Sequence, residues 1–228
     1  MSKSFLDKIK EEFLNILFPK TCFGCGKEGK YICDDCEVFL GEAASVQVDY
    51  STKHGLDGLV SVWEHEGIAK EALYRIKHQL ISDAIPEFLK KSFLVMRRDI
   101  SRFESFLSFL FSEDVYITYV PMHIKKEKRK GFNQSEIIAR GLGKMIDKEA
   151  INLLNKVKIT LSQDNLNEEK RVESVKDSFE ISSSLPLPSK VVLVDDVWTT
   201  GATMRECCGV LKGAGVKKVW GFTLFRDT

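Results

Sequence analysis

The sequence predicts an α/β fold: a parallel sheet with helices on both faces, preceded by a small cysteine-rich module. Three observations predict it. Val191 to Val194 form a short apolar, mostly β-branched run that reads as a fully buried strand. Asp195, Asp196, a Thr199-Thr200-Gly201-Ala202-Thr203 turn, a helical pattern and a second apolar run at Val219–Phe225 follow it, the order of a strand–helix–strand unit. Near the other end, Cys22, Cys25, Cys33 and Cys36 stand in two CxxC pairs. The module and a helix before it occupy 1–45, and the α/β domain 46–228.

Bulk properties bound the rest. The 228 residues carry 34 basic and 33 acidic groups, a net charge of +1, so any case for nucleic-acid binding must be local. No apolar run approaches the roughly eighteen residues of a spanning helix, and Met1 to Lys8 is too charged for a secretory signal. The expected compartment is the cytoplasm, where thiols stay reduced.

Taken in order, residues 4–18 read as an amphipathic helix, with Phe5, Ile9, Phe13, Ile16 and Leu17 at helical spacing and Pro19 ending it. Mixed charge on its polar face favours packing on the protein body over a membrane-surface contact at the inner membrane. The CxxC pairs then place four thiolates on two tight knuckles, the tetrahedral sulfur set that Zn²⁺ takes in a closed, structural site. A redox CxxC would need a βαβ setting, which is missing here.

A short strand (Val46, Val48, Tyr50) and a longer one (Leu59–Trp63) come next. Ile68, Ala69, Ala72, Leu73, Ile76 and Leu80 mark an amphipathic helix whose cations Lys70, Arg75 and Lys77, with His78, read as a solvated face. Pro86 opens a further helix, and Ile100 to Phe111 form a third, strongly aromatic one that reads as core. Val115–Val120 is a strand stopped by Pro121. Five of the six residues Lys125–Lys130 are cationic; Lys125, Lys126, Lys128, Arg129 and Lys130, beside Phe132, could track a nucleic-acid backbone and stack a base. Asn133 and Glu136 fit a capping box for a helix through Met145. Cys207 and Cys208, on the last helix, read as small core residues.

The turn after the central strand carries the chemistry. Ligands of open α/β sheets bind at carboxyl ends of strands. Successive N–H groups at a helix start make an anion site, and Gly201 allows close approach of backbone to phosphate. The turn therefore suits a monophosphate, and Asp195 and Asp196 the vicinal hydroxyls of a ribose. A metal site at the two acids and an ordinary turn are the competing readings.

The whole stretch Val191–Thr203 resembles the phosphoribosyl-pyrophosphate (PRPP) loop of type I phosphoribosyltransferases. The segment Val120-Pro121-Met122-His123 followed by Lys128-Arg129-Lys130-Gly131-Phe132-Asn133-Gln134, the middle pattern Thr160, Gln163, Leu166, Arg171, Val175 and Phe179, and the four-Cys module are similar to the ComF (competence protein F) family. Two positions depart: Lys130 stands where the family has Arg, and Ser174 where it has Asn.

The resemblance implies a type I phosphoribosyltransferase-like sheet. Asp195 and Asp196 would hold the ribose hydroxyls, Thr199, Thr200, Gly201, Ala202 and Thr203 the 5′-phosphate, and Pro121, Met122 and His123 the pyrophosphate, with Mg²⁺ accompanying PRPP. Gln163 and Arg171 would belong to a mobile hood, with Arg171 joining the two acids as catalytic. Nothing marks an acceptor pocket. Three functions stay open: uptake or processing of single-stranded DNA in natural transformation, beside other DNA-uptake proteins; phosphoribosyl transfer to an acceptor; and PRPP or nucleotide sensing.

Overall fold

The computed structural model describes residues 18–41, 46–47, 55–159, 173–182 and 186–227. The expected N-terminal helix before Phe18, and Thr160, Gln163, Leu166 and Arg171 of the hood, lie outside the described residues.

The strands are β1 (Val46–Gln47), β2 (Gly58–Glu64), β3 (Val115–Tyr119), β4 (Leu154–Lys156), β5 (Phe179–Ile181), β6 (Lys190–Trp198) and β7 (Lys218–Arg226). Five of them form one sheet in the order β1-β2-β7-β6-β3. The contacts β2–β7, β7–β6 and β6–β3 are parallel, and the two-residue β1 pairs antiparallel on the edge. Val192 lies opposite both Ile117 and Trp220, which fixes the register across the centre.

Alternation along β6 sends side chains to both faces. Val192 and Val194 join one core cluster with Trp220, Phe222 and Leu224, while Val191 and Leu193 join another with Val219. The first face is covered by α2 (Gly67–His78), α3 (Ile85–Arg98), α4 (Ile100–Leu110) and α6 (Gln134–Met145), and the second by α7 (Ala202–Gly213). Helices thus flank both faces, as the sequence predicts. Phe103, Phe106 and Leu110 of the aromatic stripe are core, with the Phe106 ring stacked on Phe222 at 5.7 Å between centroids, whereas Ile100 and Phe111 at its two ends are exposed. Cys207 and Cys208, on α7 itself, are buried against the second face.

Three features differ from expectation. First, β6 does not stop at the two acids. Its pairing with β7 continues through Asp195–Thr223 to Trp198–Arg226, so both carboxylates sit on a hydrogen-bonded strand. Second, the cationic run is itself a helix, α5 (Ile124–Lys130). His123 caps it, Nδ1 accepting from the Lys125 N–H at 3.2 Å, and Gly131 ends it with φ of 89°. Third, only half of the capping box forms. Asn133 Oδ1 accepts from the Ser135 N–H, whereas Glu136 turns to Arg140, one helical turn on. The Asn133 amide meanwhile donates to the Val120 carbonyl at 3.0 Å, tying the end of β3 to the start of α6.

The cysteine module comprises a one-turn helix, α1 (Asp34–Glu37), and the two knuckles. It packs on α3: both Glu87 carboxylate oxygens accept backbone N–H groups, from Ile32 at 2.9 Å and Tyr31 at 3.2 Å. The Tyr31 hydroxyl donates to Asp83, Lys91 pairs with Glu37, and the Phe23 ring lies against Phe88. Phe23, Tyr31 and Ile32 belong to the same buried cluster as the first sheet face.

Candidate functional site

A cleft of about 450 Å³ opens at the carboxyl end of β6. Asp195 and Asp196 lie in it because β6 carries them past the last residue of β3. Asp195 Oδ1 accepts from the Ser135 hydroxyl at 2.7 Å and from the Asp196 N–H at 2.9 Å. Ser135 reaches it because Asn133 anchors α6 to the end of β3. Lys77 Nζ, from α2, stands 3.8 Å from Asp196 Oδ2.

Burial pushes the Asp195 carboxyl up to about 7, and the neighbouring Asp196 charge pushes the same way. The Ser135 hydrogen bond, the Asp196 N–H and Lys77 oppose the rise. Burial also lowers the Lys156 ammonium, which lines the cleft from β4 and lies 5.2 Å from the Phe179 ring centroid.

The turn after β6 is braced from behind. Arg205 donates to the Thr200 carbonyl at 2.7 Å and lies over the Trp198 ring at 5.3 Å. Gly201 has φ of 73°, and a Cβ there would come within 2.3 Å of that ring, so both conformation and space demand glycine. Thr199, Gly201, Ala202 and Thr203 line the cleft. Thr200 does not; its hydroxyl accepts from the Ala202 N–H at 3.4 Å.

Pro121, Met122 and His123 also line the cleft, from the turn after β3. The cations of α5 divide. Lys126, Arg129 and Lys130 share one helical face and line the cleft, whereas Lys125 and Lys128 do not line it. Phe132 does not line it; its ring lies beneath Lys130 Nζ, 5.0 Å from the centroid.

Among the cleft residues that escaped the sequence reading, three carry polar groups at the acids or beside them. Lys77, expected on a solvated face, is turned toward Asp196, with only 27% of its side chain exposed. Lys156 had a signal: it shares strand parity with Leu154, which is fully buried, so β4 aims a lysine inward. Ser135 had none, since sixty residues separate it from Asp195.

Apart from the cleft, the Cys22, Cys25, Cys33 and Cys36 sulfurs all lie within 4.8 Å of one another, close enough to hold a metal ion. The Cys33 N–H points at the Cys22 sulfur at 3.4 Å, the orienting bond expected around a thiolate ligand. Gly24 leaves room for this packing, since a Cβ there would meet Cys36 Sγ at 2.8 Å.

Residues 128–227 match the sequence model of the phosphoribosyl transferase domain family. Competence protein ComFC of Streptococcus pneumoniae is 27% identical over 210 residues, which cover 91% of this chain and 81% of that protein. Competence protein F of Haemophilus influenzae is 34% identical over 107 residues, 45% of this chain and 47% of that protein. DNA utilization protein YhgH of Escherichia coli is 32% identical over 111 residues, 46% and 47% of the two chains. The chain therefore spans about half the length of these last two relatives.

The buried acid has a consequence for stability. A carboxyl raised in the folded chain holds its proton more tightly there than when unfolded, so stability falls as pH rises from about 4 through about 7. Asp195→Asn keeps an oxygen to accept from Ser135 and removes the charge. It is expected to stabilise the fold by on the order of 2 kcal/mol at pH 8, with the gain vanishing near pH 4. Urea denaturation across that range checks it; a gain of equal size at both ends would refute the assignment.

Proposed function

We propose, for a chain that is a phosphoribosyltransferase-like protein of the ComF family, a role in uptake or processing of single-stranded DNA during natural transformation, with a phosphoribosyl-binding site at the cleft. The observation that carries this reading is that the Asp195–Asp196 pair, Thr199, Gly201, Ala202 and Thr203 of the turn, and three α5 cations line one cavity. The acids suit ribose hydroxyls and the turn suits a 5′-phosphate. Lys126, Arg129 and Lys130 suit backbone phosphates. The names of the relatives, two competence proteins and a DNA utilization protein, support the biological setting.

Asp195 and Asp196 are the residues that would hold a Mg²⁺ arriving with PRPP, and such an ion would supply neutralisation of the negative charge on a pyrophosphate leaving group. A second reading, phosphoribosyl transfer to an acceptor, is favoured by Lys77 and Lys156. They bring two more ammonium groups to the acid pair, which suits negative charge building on a leaving group. The four sulfurs suit Zn²⁺ in a structural role, with no position left for substrate.

Calorimetric titration of the zinc-loaded chain with PRPP and Mg²⁺ tests the site. Binding is expected for the wild type and not for Asp195→Asn/Asp196→Asn; a folded wild type that takes up no PRPP refutes it. DNA binding is read by fluorescence anisotropy of a labelled oligothymidylate against salt. Changing Lys126, Arg129 and Lys130 to Gln should flatten the logarithmic salt slope by about 2, near 0.7 per lost phosphate contact; an unchanged slope removes DNA from these cations. Native mass spectrometry should find one zinc per chain, and a chelator that strips it should lower the melting temperature. A metal-free chain melting at the same temperature would contradict the structural role.

A further inference from the structure

The split of the α5 cations has a chemical consequence for the cleft. The run Lys125–Lys130 reads in sequence as one basic patch. In the fold Lys126, Arg129 and Lys130 face the cleft, at the three- and four-residue spacing that stacks side chains on one side of a helix. They stand in the same cavity as Asp195 and Asp196.

Two classes of ligand make opposite demands there. A phosphoribosyl ligand brings vicinal hydroxyls, which the acid pair can accept, and phosphates for the cations. A DNA strand brings phosphates for the same cations. Its deoxyribose has no 2′-hydroxyl, and its 3′-oxygen is esterified, so it offers the acids no diol and sets phosphodiester charge near them. At about 450 Å³ the cavity lies at the lower end of small-molecule sites and has room for roughly one nucleotide-sized occupant.

Resting on the phosphoribosyl and DNA readings above, we propose that the two ligands exclude one another: a phosphoribosyl ligand seated on Asp195 and Asp196 takes Lys126, Arg129 and Lys130 away from single-stranded DNA, so the small ligand controls DNA release. Linkage makes the effect reciprocal, with DNA weakening the phosphoribosyl ligand by the same factor. The acid pair is then a selector. It admits the diol and disfavours the strand, while the cations serve both.

The test is a competition on the full zinc-loaded chain. A fluorescent twenty-nucleotide oligothymidylate is titrated by anisotropy at fixed ionic strength and fixed free Mg²⁺. The competitors are PRPP and ribose 5-phosphate, with inorganic phosphate as the control for anion screening. With either competitor at ten times its own calorimetric Kd, the DNA concentration for half saturation should rise about elevenfold, by mass action at one shared site. The Asp195→Asn/Asp196→Asn chain should lose this response and bind DNA more tightly, because the repelling negative charge of the pair is gone.

If both ligands bind the wild type and DNA affinity does not move beyond the phosphate control, DNA runs elsewhere, over the outer face of α5. The exclusion is then overturned while the phosphoribosyl site stands. If calorimetry finds no phosphoribosyl ligand bound, the proposed function of the cleft falls, and the exclusion falls with it.

Discussion

The cleft depends on one constraint: β6 is paired in parallel with a strand on each side, so its carboxyl end opens at the same edge as theirs. Parallel ladders leave every following loop on that edge. The turn after β3 delivers Pro121, Met122 and His123 to it, and the turn after β6 delivers Thr199 to Thr203. The acids arrive differently. They sit on β6 itself, where β7 still holds the backbone, and their positions are fixed by the ladder rather than by a loop. A second anchor keeps the near wall in place. Asn133 spends its amide nitrogen on the Val120 carbonyl and its oxygen on the Ser135 N–H, so the residue holding Asp195 is positioned from β3.

That rigidity has an electrostatic cost. Two carboxylates side by side in a partly buried cleft repel each other and lose hydration. The surrounding donors offset part of it through the Ser135 hydroxyl, the Asp196 N–H and the Lys77 ammonium. None removes the repulsion, because Lys77 is an ion pair at 3.8 Å rather than a close hydrogen bond. Such strain at a site is expected where the groups serve a ligand rather than the fold. A ligand that supplies hydroxyl donors, or a cation, would relieve it on binding.

How much was legible in the sequence follows from the range of each interaction. The strand, acid pair, turn and helix from Val191 to Gly213 are local, and periodicity with turn chemistry suffices to read them. Glycine at 201 was legible too, although the Trp198 ring that also demands it was not. The basic run was visible as charge, yet its division needed helix α5, which the run of lysines did not announce. Lys77 looked solvated because a helical wheel cannot see what lies across the gap. Glu136 was read as a cap, and a nearer arginine on its own helix took it instead. β4 and β5 were missed because three-residue strands fall below any periodic signal, and Lys156 was missed with them.

The module shows why local reading and tertiary burial must be joined. Between Thr21 and Leu40 the buried apolar residues are few, too few for an independent core. The four sulfurs can supply one crosslink, and α3 with the turn just before it supplies the rest, through Glu87, Lys91 and Phe88 on the helix and Asp83 ahead of it. Arg75 of α2 lies over the Phe23 ring at 5.3 Å, and two residues later on the same helix Lys77 faces Asp196. The face of the module that buries Phe23 therefore also supports the helix that balances the acid pair. A net charge of +1 hides all of this, since 34 basic and 33 acidic groups cancel over the whole chain while the cleft gathers two acids and five lysines and arginines. Function here is a matter of where the fold concentrates charge, and that concentration is set by strand pairing and helix docking rather than by composition.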